Sequence, residues 1–360
     1  MLRVLLVGAG ASFSTKDVED GYLQALRTLA GVDVKFYSLE ARLQLAHTWL
    51  KQLWRARGKP PDQRPTWPDT VYRASIEAFE MALRYDVDWV VVISGMYFHP
   101  DVLGLLRRGR VRTSVLLTES PYEDEAQARV AALVDVVWTT ERTSVEPLRL
   151  ACRHVHYLRH AHDPARHHLS VPDVGIPAHD VVFVGTGFEE RIALLDGIDW
   201  SGIDLGLYGT WSLLGSRAKL RAFVRGGPIT NDSAVELYRR ARVGLNLHRT
   251  SQSYGRGVAH VAGAESLNPR TYELAACGVF QLSQYRPEVL ETFGPSVPTF
   301  ETAEDLERLV RHALAQHERS ADLSLLAREL VAPHTYAARA AQLVADLEGF
   351  DDRALMAKGA

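Results

Sequence analysis

Apolar residues along this chain fall in short continuous runs, separated by stretches in which they recur every three or four positions. In the first half, residues 3–8 (RVLLVG), 32–39 (VDVKFYSL), 88–94 (DWVVVIS), 112–119 (RTSVLLTE), 134–140 (VDVVWTT) and 154–158 (HVHYL) read as strands. The stretches near 17–30, 70–85, 100–108, 123–133 and 143–151 read as helices. Continuous β-branched runs alternating with helices predict a parallel sheet covered on both faces. Residues 41–69 break the rhythm with an amphipathic helix followed by a proline-rich excursion. This segment is expected to be an insertion over a cleft or sheet edge, its aromatic and Leu stripe packing against protein rather than a membrane.

Near 160–179 the composition turns to Pro and His without periodicity, which reads as a linker. A second strand–helix series follows, with strands in 180–184 (DVVFV), 202–209 (GIDLGLYG), 241–249 (ARVGLNLHR) and 278–283 (GVFQLS). Helices are expected around 302–317, 321–332 and 335–348. The fold expected is therefore α/β, with two Rossmann-like domains whose parallel sheets face an interdomain cleft. The predicted division is 1–165 for the first domain, 166–334 for the second, and 335–360 as a C-terminal helix crossing back to the first.

A length of 360 residues agrees with two domains. The 41 Lys and Arg against 44 Asp and Glu give a formal charge of −3, which argues against a general nucleic-acid footprint. Cys152 and Cys277 are the only cysteines, so no disulfide framework is expected and a reducing compartment fits. The opening MLRVLLVGAGASF is too short an apolar span for a signal peptide or membrane helix and runs into a glycine turn. A cytoplasmic location without membrane insertion is the resulting expectation.

Two glycine turns follow first strands. In GAGASF, Phe13 stands where a dinucleotide fingerprint has its third glycine, and Glu40 comes later than the usual acidic residue. Gly10 and Ser12 are better read as an acceptor-side loop. In VGTGFEER, Gly185, Thr186 and Gly187 permit close backbone approach to a phosphate, with Arg191 one helical turn later. An ordinary strand-to-helix turn with a surface arginine is the alternative. Asn246 and His248 stand at the tip of a second-domain strand. Glu119 and His99 follow first-domain strands, Glu119 facing the expected cleft and His99 a candidate base or acceptor contact. His154, His156, His160, His162, His167 and His168 crowd the interdomain segment, but no Cys or carboxylate partner lies at a familiar spacing, so a polar hinge is preferred to a metal site.

The most informative stretch is AESLNPRTYELAACGVFQLSQY from Ala264. Asn268 is suited to cap a helix, Pro269 to its first position and Gly278 to its end. Glu265 then precedes the helix and Glu273 lies about one turn into it. Arg270 occupies the first turn, where a cation reinforces the positive helix end and favours an anion.

ARVGLNLHR, this stretch through YRPEVLETF, FETAEDLERLVRHAL and APHTYAARAAQLV together resemble the CgeB-like, spore-maturation-type glycosyltransferases of the GT-B fold. The likeness is specific from about 180 to 348 and weaker over the first domain. By that resemblance Glu265 and Glu273 match an E-x7-E signature, with Glu265 on the donor sugar and Glu273 on the ribose hydroxyls. Arg270, the helix-start amides, Arg191 and the Thr186 turn would hold a diphosphate, and Gly185, Asn246, His248, Asn268 and Thr271 would complete the donor site. Relatives often carry Asp where this chain has Gln284.

The implied activity is a hexosyltransferase-type reaction, retaining and metal-independent, with a nucleotide-diphosphate sugar as co-substrate and no cofactor. An inverting enzyme would instead need a base, for which Glu119 and His99 are the candidates. The acceptor is left open among a small molecule, a glycan, a protein and a modified nucleic acid. The competing readings are a nucleotide-sugar epimerase or hydrolase on the same scaffold, and a non-catalytic nucleotide-sugar-binding protein.

Overall fold

The computed structural model describes residues 1–10, 15–169 and 178–350. The chain divides into two compact units. The first holds Met1–Thr140, Ser144–Leu158 and the C-terminal segment from Tyr336; the second holds Glu141–Thr143 and Arg159–Thr335.

In the first unit, β1 (Leu2–Val7), β2 (Val32–Tyr37), β3 (Trp89–Ile93), β4 (Arg112–Leu117), β5 (Val136–Thr139) and β6 (His154–Tyr157) form one sheet in the order β2-β1-β3-β4-β5-β6. Every neighbouring pair is parallel. All five residues of β3 are buried, as a central strand covered on both faces requires. Helices α1 (Lys16–Thr28), α2 (Leu39–Ala56), α3 (Trp67–Arg84), α4 (Pro100–Arg108), α5 (Asp124–Ala131) and α6 (Val145–Arg149) fill the connections. The proline-rich excursion ends where Thr66 and Asp69 cap α3 reciprocally, so this helix begins three residues before the periodicity predicts.

The second unit repeats the architecture with β7 (His179–Val184), α7 (Glu189–Asp196), β8 (Leu205–Tyr208), β9 (Val224–Gly226), α8 (Asn231–Arg240), β10 (Ala241–Asn246), α9 (Pro269–Ala276), β11 (Phe280–Gln284), α10 (Pro287–Phe293), β12 (Thr299–Phe300), α11 (Ala303–Ala315) and α12 (His317–Val331). Its sheet runs β12-β11-β10-β7-β8-β9, again parallel. The strand order reverses between β7 and β10, and the carboxyl end of such a switch point is where open α/β sheets place ligands. Gly244 lets α9 lie close on β10, since a Cβ there would come 2.6 Å from Leu274.

The last helix, α13 (Tyr336–Glu348), belongs to the first unit. Tyr336 meets Tyr22 of α1 edge-on at 5.4 Å, and Trp138 donates its indole N–H to Asp346 at 2.8 Å. A Cβ on Gly21 would come 2.3 Å from the Tyr336 ring, so the absence of a side chain there permits the docking. Among the described residues, no helix is long and apolar enough to cross a membrane.

Candidate functional site

The second unit's switch point brings together most of the residues expected on the donor side. Asn268 caps α9, its Oδ1 accepting from the amide and hydroxyl of Thr271 at 3.2 and 2.9 Å. Thr271 in turn accepts from Asn246 Nδ2 at 2.7 Å, and the same nitrogen donates to Ser283 at 2.9 Å. The helix start is thereby tied to the tips of β10 and β11. His248 lies 3.4 Å from Asn246 Nδ2, and its backbone N–H donates to Gln284 at 3.1 Å. Burial, then the charges of Arg286, Arg191 and Arg270, hold His248 well below the ordinary histidine range, so it is neutral at pH 7.

Arg270 stacks over Phe183 at 4.8 Å, and its Nη2 would lie 2.8 Å from any Cβ added to Gly185. The two motifs read separately in the sequence thus meet: the glycine of the first makes room for the arginine of the second. Gly187 has a similar function, since a Cβ there would come 2.3 Å from the Trp211 ring. Four buried polar atoms in this neighbourhood, Trp211 Nε1, Asn246 Oδ1, His248 Nδ1 and Arg270 Nε, have no hydrogen-bond partner. Phe183 links two of them, meeting Trp211 edge-on at 5.9 Å and lying under Arg270. Buried polar groups are nearly always paired, so four grouped at a switch point mark a place built to meet polar atoms of a ligand.

Arg191 does not present its charge to the turn's outer side. Its Nη1 donates to the carbonyl of Thr186 at 2.9 Å and its Nη2 to that of Leu247 at 2.8 Å, which fastens the glycine turn to the end of β10. It is 7% exposed, so its role in the structure is to shape the turn. Glu190, beside it, accepts from the amides of Thr250 and Ser251 and from the Ser251 hydroxyl. Burial pushes its pKa up, but these hydrogen bonds outweigh that and hold it below the usual carboxylate range.

Glu273 is half-buried on α9. Burial raises the Tyr238 hydroxyl and pushes the Cys277 thiol up to about 12, and the Glu273 charge adds to both. Glu265 is held differently from the sequence expectation. Arg142 Nε lies 2.6 Å from its carboxylate and Arg142 also binds Glu291 at 2.7 Å. The backbone around it is gripped by two buried carboxylates. Glu141 accepts from the amides of Glu265 and Ser266, both at 3.2 Å, and from the Ser266 hydroxyl at 3.3 Å. Glu288 accepts from Leu267 N at 2.6 Å and pairs with Arg159 at 2.8 Å. Sequence reasoning missed Glu141, Arg142 and Glu288.

The first unit carries the other candidates at its sheet's carboxyl end. Gly10 has φ +87°, and a Cβ there would lie 2.8 Å from Tyr97. Ser12 lies outside the described residues. Glu119 follows β4, where the Thr118 hydroxyl, Asp124 Oδ1 and Gln127 Nε2 are buried without partners. Ser94 and Gly95, at φ +65° and +75°, turn the chain after β3 and lead to His99. His99 caps α4: its Nδ1 accepts from Asp101 N at 3.2 Å. The Asp101 carboxylate stands 3.8 Å from the same nitrogen.

The interdomain histidines make local bonds. His162 N donates to the His334 carbonyl, and His167 Nδ1 accepts from Asp163 N at 3.0 Å. Burial, aided by neighbouring positive charge, pushes His167 down to about 3. Among the described residues, no three His, Cys, Asp or Glu side chains converge to hold a metal ion.

Residues 191–345 match the family model described as "Glycosyl transferase-like". No curated protein matches the chain. Among solved structures, HepE of Anabaena in complex with UDP-glucose is similar at 12% identity, covering 97% of this chain and 100% of that one with a TM-score of 0.64. Sucrose-phosphate synthase from Thermosynechococcus elongatus is similar at 16% identity, covering 99% and 100% with a TM-score of 0.60. A putative UDP-N-acetylglucosamine 2-epimerase from Listeria monocytogenes is similar at 13% identity, covering 97% and 98%, also at 0.60. The two parallel six-stranded units are thus those of the GT-B fold. At these identities the likeness defines the fold alone.

Proposed function

We propose that the protein is a glycosyltransferase whose second unit binds a nucleotide-diphosphate sugar. The observation that carries this reading is the group of unpartnered buried polar atoms around Arg270, at the amino end of a capped helix and beside a glycine turn. A helix N-terminus and a guanidinium both favour phosphate oxygens, and the matching family description and fold point to a sugar donor.

In this reading Arg270 and the α9 start hold the diphosphate, Glu273 takes the ribose hydroxyls and Glu265 the donor sugar. Asn246, His248 and Thr271 order the same floor. As the bond from the anomeric carbon to the phosphate oxygen breaks, its electron pair stays on the phosphate. Arg270 and the helix end then stabilise charge that is larger in the transition state than in the bound donor. A retaining transfer lets the acceptor's proton pass to that phosphate oxygen, so it needs no protein base. The roles assigned here require no metal. For an inverting transfer the base would be Glu119 or His99, which both follow strands at the first unit's sheet end.

Incubation with a panel of nucleotide sugars, with and without mixed acceptors, tests the reading by chromatography. Acceptor-dependent release of one nucleoside diphosphate is expected. Conversion of donor alone to a sugar isomer, or its rapid loss without acceptor, would replace the transferase by an epimerase or hydrolase. Binding without turnover would leave a sugar-nucleotide-binding protein.

A further inference from the structure

The first unit holds an open cavity of about 720 Å³ between the carboxyl half of α2, the loop to α3, the start of α3 and the start of α4. Nothing in the donor-site reading uses it. Its volume falls within the ~300–1,000 Å³ typical of small-molecule sites. Trp54, Tyr72 and His99 form aromatic walls. The indole N–H of Trp54 is taken up by the Pro60 carbonyl at 2.8 Å, which fixes the ring against the loop. Tyr72 is 41% exposed and is held edge-on against His99 at 5.1 Å.

The charged lining is balanced: Arg57, Arg64 and Arg73 stand against Asp62, Asp69 and Asp101. Two of these six are committed elsewhere. Asp69 accepts from the amide and hydroxyl of Thr66, and Arg73 pairs with Glu77 at 3.0 Å, whereas the Asp101 carboxylate is exposed and stands 3.8 Å from His99 Nδ1. Arg57, Arg64 and Asp62 have no ion pair or side-chain hydrogen bond among the described residues. The cavity therefore offers two guanidinium forks and two carboxylates beside the exposed Tyr72 ring and the half-buried Trp54 and His99 rings. An anion would meet the Asp62 and Asp101 carboxylates and a cation the Arg57 and Arg64 guanidiniums. A neutral molecule whose rim both donates and accepts, and whose faces are C–H, fits every wall.

We propose that this cavity is a saccharide-binding site for a neutral oligosaccharide of two or three rings. Sugar faces stack on Tyr72 and Trp54, while hydroxyls bridge Asp62, Arg57 and Arg64. The binding site stands on its own geometry, but the role of the bound sugar as acceptor rests on the transferase reading above. The α2–α3 segment then serves to select the acceptor, which is why it departs from the plain strand–helix rhythm.

Saturation-transfer NMR and calorimetry on the full chain with maltotriose, cellotriose, chitotriose and mannotriose test this, with inorganic phosphate and glucuronate as anionic controls. Nucleoside-diphosphate stabilisation is measured on the same samples. At least one neutral sugar is expected to bind, with affinity lost at least tenfold in Tyr72→Ala and in Asp62→Asn and diphosphate stabilisation unchanged. Binding by none of the sugars, binding indifferent to both substitutions, or binding of the anions alone would overturn the proposal. Sugar binding lost in both variants without any diphosphate response would keep the site and remove its role as an acceptor subsite.

Discussion

Replacing Arg270 by alanine separates a binding role from a structural one, because the two costs differ in size. The side chain stacks over Phe183 at 4.8 Å, a contact worth about 0.5–1 kcal/mol. Its Nε is buried without a partner, so truncation also removes a group that carries a desolvation cost in the unliganded protein. The net change in folding stability should stay within about 1 kcal/mol, or roughly 2–4 °C in Tm for a unit of this size. A charged hydrogen bond to a diphosphate is worth about 1.5–3 kcal/mol. Nucleoside diphosphate affinity should therefore fall by about tenfold to 150-fold. Calorimetric titration of wild type and Arg270→Ala at two salt concentrations measures this. Arg270→Lys should recover only part of the affinity, since an ammonium lacks the planar fork that stacks and binds two oxygens. An affinity within twofold of wild type would refute the assignment. A fall of more than about 10 °C in Tm would make Arg270 structural instead.

Further expectations follow from neighbouring features. Glu141→Gln places an amide where only acceptors fit, and should cost about 1–3 kcal/mol of stability while lowering turnover more than donor affinity, by thermal melts and steady-state kinetics. Arg142→Ala should change stability by less than about 1 kcal/mol, because its pair with Glu265 is partly exposed, yet lower turnover as Glu265 loses its orientation. His167 is at about 3 folded against 6.5 unfolded, so between those values the unfolded chain binds more protons. Stability is full above 6.5 and falls on acidification, by about 2 kcal/mol at pH 5. Melts of wild type and His167→Gln should diverge from neutral pH downward, and parallel curves would contradict the assignment. Gly187→Ala drives a Cβ to 2.3 Å from Trp211 and should destabilise by about 1–3 kcal/mol, read by denaturant titration.

Strands were legible wherever an apolar run was long enough, in the half-buried β2 as in the fully buried β3. The buried apolar stretches within β1, β3, β4, β7 and β10 have little reason to exist except a covered parallel sheet, and the N-cap, Pro and Gly around α9 marked both helix ends. β9 and β12 escaped notice because three and two residues carry no period, and both lie at sheet edges. The helix near 70–85 begins earlier because the Thr66–Asp69 cap lies in what reads as a proline-rich loop. Glu141 and Glu288 were illegible as clamps for a different reason. Their partners lie about 124 and 21 positions away, and local pattern says nothing of such pairings. Arg191 illustrates the limit of motif reading: its spacing from the glycine turn was informative, but whether it faces a phosphate or two carbonyls depends on where β10 ends. His99 likewise follows a strand as expected, but that its Nδ1 caps α4 depends on where that helix begins.

Recognition of a nucleoside diphosphate carrying a sugar by the second unit underlies every role proposed for the donor side. The most direct test is thermal denaturation against UDP, GDP, TDP, ADP, CMP and their common sugars, since a ligand that binds only the native state raises the midpoint by mass action. A clear rank order led by one diphosphate is expected, with the shift lost in Arg270→Ala. No shift with any nucleotide in a folded sample, or an equal shift in the Arg270→Ala protein, would contradict it.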